Sequence, residues 1–120
     1  MFFYYVYRYM IGDKWIYVGK SDNNIKERIA AHASDPAFQK YLKDSVVQFC
    51  RLPSRNDMDF MEQALIKIMR PVINVNFATD IVLPFIYDES KIEWEDYNEA
   101  KQNKHPLIND RLSFITPESL

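Results

Sequence analysis

"YYVYRYMIGDKWIYVGK", residues 4–20, decides how the rest of this chain is read. From Phe3 to Tyr9 aromatic and branched side chains alternate, the period-two pattern of a strand. Gly12-Asp13 then offers a tight turn. "WIYVG", residues 15–19, is a second apolar run, so a β-hairpin is expected. Its strands pair antiparallel, which brings Tyr7 and Tyr17 close to opposite each other or offset by one register step. Both phenols then emerge on one face.

Outward from the hairpin, "SDNN" (21–24) is a cluster of helix N-cap residues, and a short helix is expected from Ile25 to about Ala33. Ile25 and Ile29 lie on its apolar stripe, and Arg28 and His32 lie on a neighbouring one. "ASDPAF" restarts the chain, with a further helical turn or two from Ala37 to Lys43. "SVVQFCRL" (45–52) reads as a third strand, and "PSRND" as a loop and a cap. The clearest helix begins at Asp57 or Met58 and runs to Met69, because Met58, Met61, Leu65 and Ile68 recur at the helical period. Arg70-Pro71 stops it, and "VINVNF" (72–77) reads as extended. Three strands interleaved with helices give an α+β class.

Beyond Phe77 the pattern weakens. "IVLPFIY" (81–87) reads as a strand or an apolar arm, and Pro84 argues against a central strand. "ESKIEWEDYNEAKQNK" (89–104) is expected as a charged surface helix, and "HPLINDRLSFITPESL" (105–120) as irregular. The chain thus divides into a domain over 1–77 and an acidic C-terminal extension over 78–120.

The totals set bounds. At 120 residues, 48% of them apolar and 27% charged, one globular domain is expected. No apolar run approaches the ~18 residues that span a bilayer. The first ten residues lack the basic leader and small-residue cleavage site of a signal peptide. A single cysteine, Cys50, excludes an internal disulfide and fits a reducing cytoplasm. The net charge of −2 is unevenly spread. Residues 1–77 hold 11 Lys+Arg against 8 Asp+Glu, or +3, and residues 78–120 hold 4 against 9, or −5. A mildly basic body carries an acidic tail, and +3 is modest for a phosphate-backbone binder.

The chemistry-bearing residues fall in the basic body. Gly19 has no side chain and permits close approach, for instance by a phosphate. Lys20 adjoins it. Arg28 and His32, four apart, stand one above the other on a helix. Glu62 lies amid the apolar stripe of the clearest helix, where a carboxylate is paired, metal-bound or at the stripe's edge. With Tyr7 and Tyr17, this set suits phosphodiester cleavage. That reaction needs a water nucleophile, an acceptor for its proton, and positive charge facing the transition state. One carboxylate with waters and phosphate oxygens is an adequate Mg²⁺ site.

"YVY" at 5–7 and "YVG" at 17–19 resemble the paired signature of the GIY-YIG endonuclease superfamily. Arg28-Ile-Ala-Ala-His32 is similar to the arginine-helix motif of its homing-endonuclease branch, which carries a histidine there. "EQALIKIMRPVINVN", from Glu62, resembles the metal-binding helix and the run that ends in asparagine, here Asn74. The resemblance covers about residues 3–77. Tyr5 stands where the signature has its first glycine, and valines stand at its middle positions.

The resemblance implies a central three-stranded antiparallel sheet flanked by helices, and DNA as substrate. It implies a catalytic set of Tyr7, Tyr17, Arg28, His32 and Glu62, with Gly19, Lys20 and Asn74 towards substrate. Tyr7 would be the general base or orient the attacking water, and Tyr17 would bond the scissile phosphate or that water. Lys20 would lower a phenol's pKa or contact phosphate. Arg28 would stabilise developing charge, and His32 would assist proton transfer. Glu62 would hold one Mg²⁺ or Mn²⁺, and Asn74 would be structural or contact phosphate. A domain this small has little surface for sequence reading, so a homodimer or a partner supplying DNA recognition is expected. The extension would cover the core, compete with DNA, or act as a dimerisation arm through Ile81, Val82, Leu83, Phe85 and Ile86. The alternative to a nuclease is a non-catalytic nucleic-acid- or protein-binding module that keeps the fold.

Overall fold

The computed structural model describes residues 3–74, 85–97 and 115–117. The hairpin forms as expected: β1 (Tyr4–Ile11) pairs antiparallel with β2 (Lys14–Asp22), closing at Ile11 and Lys14. Gly12 takes φ +58° with nothing within 4 Å of where a Cβ would stand, so backbone conformation, not crowding, calls for glycine. The ladder shifts register between Tyr9 and Met10 and leaves Ile16 as a bulge. Tyr9 therefore faces Tyr17, and Tyr7 faces Gly19. The two phenols of interest are offset by one step, not directly opposite.

Each helix starts at a side-chain cap that satisfies an otherwise unpaired backbone N–H. Asn24 accepts from the Glu27 amide (3.1 Å) ahead of α1 (Ile25–Ala33). Asp35 accepts from Ala37 (2.9 Å) ahead of α2 (Pro36–Leu42). After β3 (Val46–Leu52), Ser54 accepts from the Asp57 amide and donates to its carboxylate, which starts α3 (Arg55–Met69) slightly earlier than periodicity alone predicts. Arg70, at φ 46°, ends α3 in the left-handed region.

The expectation of a three-stranded sheet is corrected. The sheet has four antiparallel strands in the order β2-β1-β3-β5. The added strand, β5 (Glu95–Asp96), comes from the extension and pairs with Gln48 and Phe49 of β3. Where a surface helix was expected over 89–104, Glu89–Lys91 is a single 3₁₀ turn leading into β5, and residues 98–104 lie outside the described residues. β4 (Phe85–Tyr87) pairs with β6 (Ile115–Pro117), a strand where irregular chain was expected. Ile73 and Asn74 lie in a 3₁₀ turn, not an extended run, and 75–77 lie outside the described residues. So does most of the apolar arm, including Ile81, Val82 and Leu83. No helix among the described residues is long and apolar enough to cross a membrane.

Tyr5 through Met10 are all buried because β1 is central and covered on both faces. Val6 and Met10 pack with Cys50, Leu52 and the α3 residues Met58, Met61 and Leu65. Tyr5, Tyr7 and Tyr9 pack on the other side with Phe49, Ile25 of α1 and Phe38 of α2. The period of two thus sorts β1 into an aliphatic side beneath α3 and an aromatic side beneath α1 and α2.

Arg8 is the exception on the aliphatic side, 5% exposed. Its guanidinium lies between the rings of Trp15 (4.7 Å) and Trp94 (4.2 Å) and bonds Glu89 through two nitrogens at 2.8 Å each. Its Nε donates to Gln48 at 2.9 Å. Trp94 in turn donates to Tyr87 (3.0 Å), which donates to Glu89 (2.6 Å). Residues 85–97 thereby supply the counter-charge and the aromatic cover of a cation buried in the first strand. Glu89→Gln keeps this shape and removes the charge. Because Glu89 is half exposed, a loss of about 1–2 kcal/mol is expected by urea denaturation. An unchanged midpoint would show that Arg8 does not depend on that carboxylate.

Candidate functional site

On the aromatic side, β1 and α1 meet at one hydroxyl. Tyr7 Oη lies 2.7 Å from His32 Nε2. The Arg28 guanidinium and the Tyr17 hydroxyl also hydrogen-bond it. Arg28 can only donate, so the phenol oxygen accepts from it and has its own proton to give to the imidazole. The four-residue spacing predicted from sequence does this: one helical turn places Arg28 and His32 on the same strand residue.

Gly19 explains how two phenols fit. A Cβ built there would stand closer than 3.0 Å to the Tyr7 phenol and to the Tyr17 ring. Its φ is ordinary, so the need is for space. The groups that approach Gly19 closely are the two phenols. Around them His32 stacks on Phe38 (4.2 Å, 27°), and Tyr17 meets both rings edge-on at 4.9 Å. Phe38, from α2, fixes the imidazole plane. The sequence reading missed it, although an apolar residue in the first turn after the Asp35-Pro36 start was its available signal.

Burial raises the Tyr7 pKa, with Tyr17 adding and Arg28 opposing, so the phenol stays protonated at neutral pH. Burial also raises Tyr17, again against Arg28. His32 is pushed below its usual 6.5, first by burial and then by Arg28, so its imidazole is neutral at pH 7 and free to accept a proton. Tyr9 is fully buried beside this group, and its hydroxyl has no hydrogen-bond partner among the described residues.

Lys20 and Glu62 meet on the side of the sheet that faces α3. Lys20 Nζ bonds Asp59 at 2.8 Å and stands 3.8 Å from Glu62 Oε1. The lysine is therefore held by α3 carboxylates and not by a phenol. Asp59 is the second residue the sequence reading missed. Its signal was the three-residue spacing to Glu62, which puts both on one helix face. Glu62 itself is 13% exposed at the side chain. Burial raises its pKa, Lys20 lowers it, Asp59 raises it and Arg28 lowers it. Its charge is felt at Tyr17 and Arg28, which ties the α3 carboxylate electrostatically to the phenol cluster. Among the described residues its one hydrogen bond is a long 3.4 Å contact from Gln63. A desolvated carboxylate with free lone pairs fits a hard divalent cation completed by water.

Asn74, 3% exposed, accepts from Val18 N at 2.8 Å and donates to Val18 O at 3.1 Å. Both ends of its amide clamp the outer edge of β2, one residue before Gly19. Val72 adds an N–H to Trp15 O at 3.2 Å.

No family model, curated protein or solved structure matches this chain.

Two substitutions separate crowding from hydrogen bonding here. Gly19→Ala overpacks the phenols and is expected to cost about 1–3 kcal/mol in urea denaturation. A neutral result would mean the rings move aside freely. Tyr9→Phe removes a buried hydroxyl that pairs with nothing described, so it is expected to be neutral or stabilising in the same assay. A clear loss would reveal a partner for that hydroxyl.

Proposed function

We propose that the chain is a nuclease of the GIY-YIG superfamily that hydrolyses phosphodiester bonds in DNA. One observation carries the reading: the Tyr7 hydroxyl is shared between a neutral imidazole, a guanidinium and a second phenol, above a glycine that leaves room for both rings. That arrangement can take a proton from a bound water without creating a free phenolate. The water oxygen forms a bond to phosphorus, and the phosphorus–oxygen bond to one sugar breaks, its electron pair leaving on the sugar oxygen, which takes up a proton from solvent water. The water's proton passes to Tyr7 Oη as Tyr7's own proton passes to His32 Nε2. The phenol is regenerated and the imidazole becomes cationic. Arg28 stabilises the negative charge on the phenol oxygen during transfer and on the phosphate oxygens beside it. Tyr17 holds the orientation of the Tyr7 hydroxyl.

Glu62 would hold the Mg²⁺ or Mn²⁺ that the family resemblance implies, and such an ion, when bound, draws charge from the phosphate oxygens. Asp59 keeps the Lys20 ammonium drawn away from Glu62, which leaves that carboxylate accessible.

Plasmid nicking in the presence of Mg²⁺ or Mn²⁺ tests this. Arg28→Ala is expected to lower kcat about 10²–10³-fold, as loss of one transition-state donor does, and Glu62→Gln to abolish cleavage. DNA binding without nicking over a range of metals, or nicking indifferent to both changes, would overturn the assignment.

The pH dependence has a defined sign. His32 must be neutral to accept the proton, and its pKa lies below 6.5. The kcat/KM profile should therefore fall on the acid side along a limb centred below 6.5. An acid limb centred above 6.5 would exclude His32 as the acceptor.

A further inference from the structure

A cleft of about 360 Å³ lies beside the phenol cluster, lined by residues from the end of β2, the start of α1 and the start of α3. Lys20 and Arg28 belong both to it and to the site described above, so the two adjoin at these residues. Three cations line it, one from each element: Lys20, Arg28 and Arg55. Two are already committed, Lys20 to Asp59 and Arg28 to Tyr7. Arg55 is not held in the same way. Its side chain is 57% exposed and pairs with Asp22, itself a third exposed. An ion pair so open to water is weak and exchanges readily for another anion. Ser21 also lines the cleft. It is 6% exposed, and its hydroxyl can donate one hydrogen bond. The cleft thus places a hydroxyl beside a loosely paired guanidinium.

We propose that this cleft binds the phosphate next to the scissile one along the same DNA strand, with Arg55 as its counter-charge and Ser21 as its hydroxyl donor. This rests on the nuclease reading. Glu27 and Asp22 also line the cleft. Their charges favour a singly charged diester over a doubly charged free phosphate. Asp22 holds Arg55 until the strand arrives, then gives it up. Because the cleft joins the site at Lys20 and Arg28, a phosphate here fixes which diester reaches Tyr7.

The test is binding of a short labelled DNA duplex to the full chain, followed by anisotropy in chelator over a salt series so that nothing is cut. Arg55→Gln is expected to weaken binding and to make the slope of log K against log salt shallower by about 0.9, the release expected for one phosphate. Ser21→Ala is expected to weaken binding several-fold with the slope unchanged. Asp22→Asn frees Arg55 and should tighten binding, and the Asp22→Asn/Arg55→Gln double variant should bind like Arg55→Gln alone. Lys14→Gln, at the hairpin tip, serves as the control and should leave the slope as it is. Urea midpoints close to that of the unmodified chain confirm that each variant is folded.

The proposal is overturned if Arg55→Gln keeps the original slope, or if the gain from Asp22→Asn persists without Arg55. Those results leave the nuclease reading standing wherever Arg28→Ala still slows nicking and Glu62→Gln still abolishes it. A chain that binds no DNA at all overturns both.

Discussion

Tyr7 and Gly19 face each other across the first hairpin, and the site depends on that pairing. Had the ladder run without its bulge, the partner of Tyr7 would have carried a side chain, and two phenols could not share the space. The two-residue turn sets the register, the bulge at Ile16 shifts it by one, and the absent Cβ converts the shift into room. Asn74 then fixes the stretch of β2 in question by both backbone groups of Val18. Local chain geometry, rather than any strong single interaction, brings Tyr7 to His32 and Arg28.

The same central strand carries the second constraint. A strand covered on both faces gives Arg8 no route to water, and a buried cation is tolerated only when paired and fully bonded. Glu89, Gln48 and two indole faces meet that requirement. Two of these partners, Glu89 and Trp94, come from residues that the charge pattern sets apart as an acidic tail. Part of that negative charge is thus an internal complement to the first strand. The division at residue 77 follows composition and is not a seam in the packing, since Ile92 is buried in the core beneath α3.

What was legible in the sequence was local. The α1 boundaries follow from an asparagine cap and a short apolar stripe, and the turn follows from Gly12-Asp13. Arg28 and His32 were readable as one group because helical spacing alone makes them neighbours. What escaped depends on contacts distant in sequence. A two-residue strand such as β5 has no periodicity to read. The charged stretch around it was read as a surface helix from its charge, whereas Ile92 and Trp94 pack into the core cluster with Trp15, and Trp94 also covers Arg8. The bulge left no mark because Trp15 through Val18 are all apolar, so either parity reads equally well. Glu62 was visible by its order after the arginine, but Lys20 lying nearer to Asp59 required coordinates.

The sheet ends in occupied borders. On one side Val72 and Asn74 take the outward backbone groups of Trp15 and Val18. On the other, Glu95, Asp96 and the Tyr97 amide lie along β3, from Val47 to Phe49. A foreign strand seeking to extend the sheet at these positions would have to displace the chain's own segments, and beside β3 it would meet two carboxylates. Association through backbone pairing is therefore disfavoured there, and a second molecule engaging this domain has helices and side chains to grip.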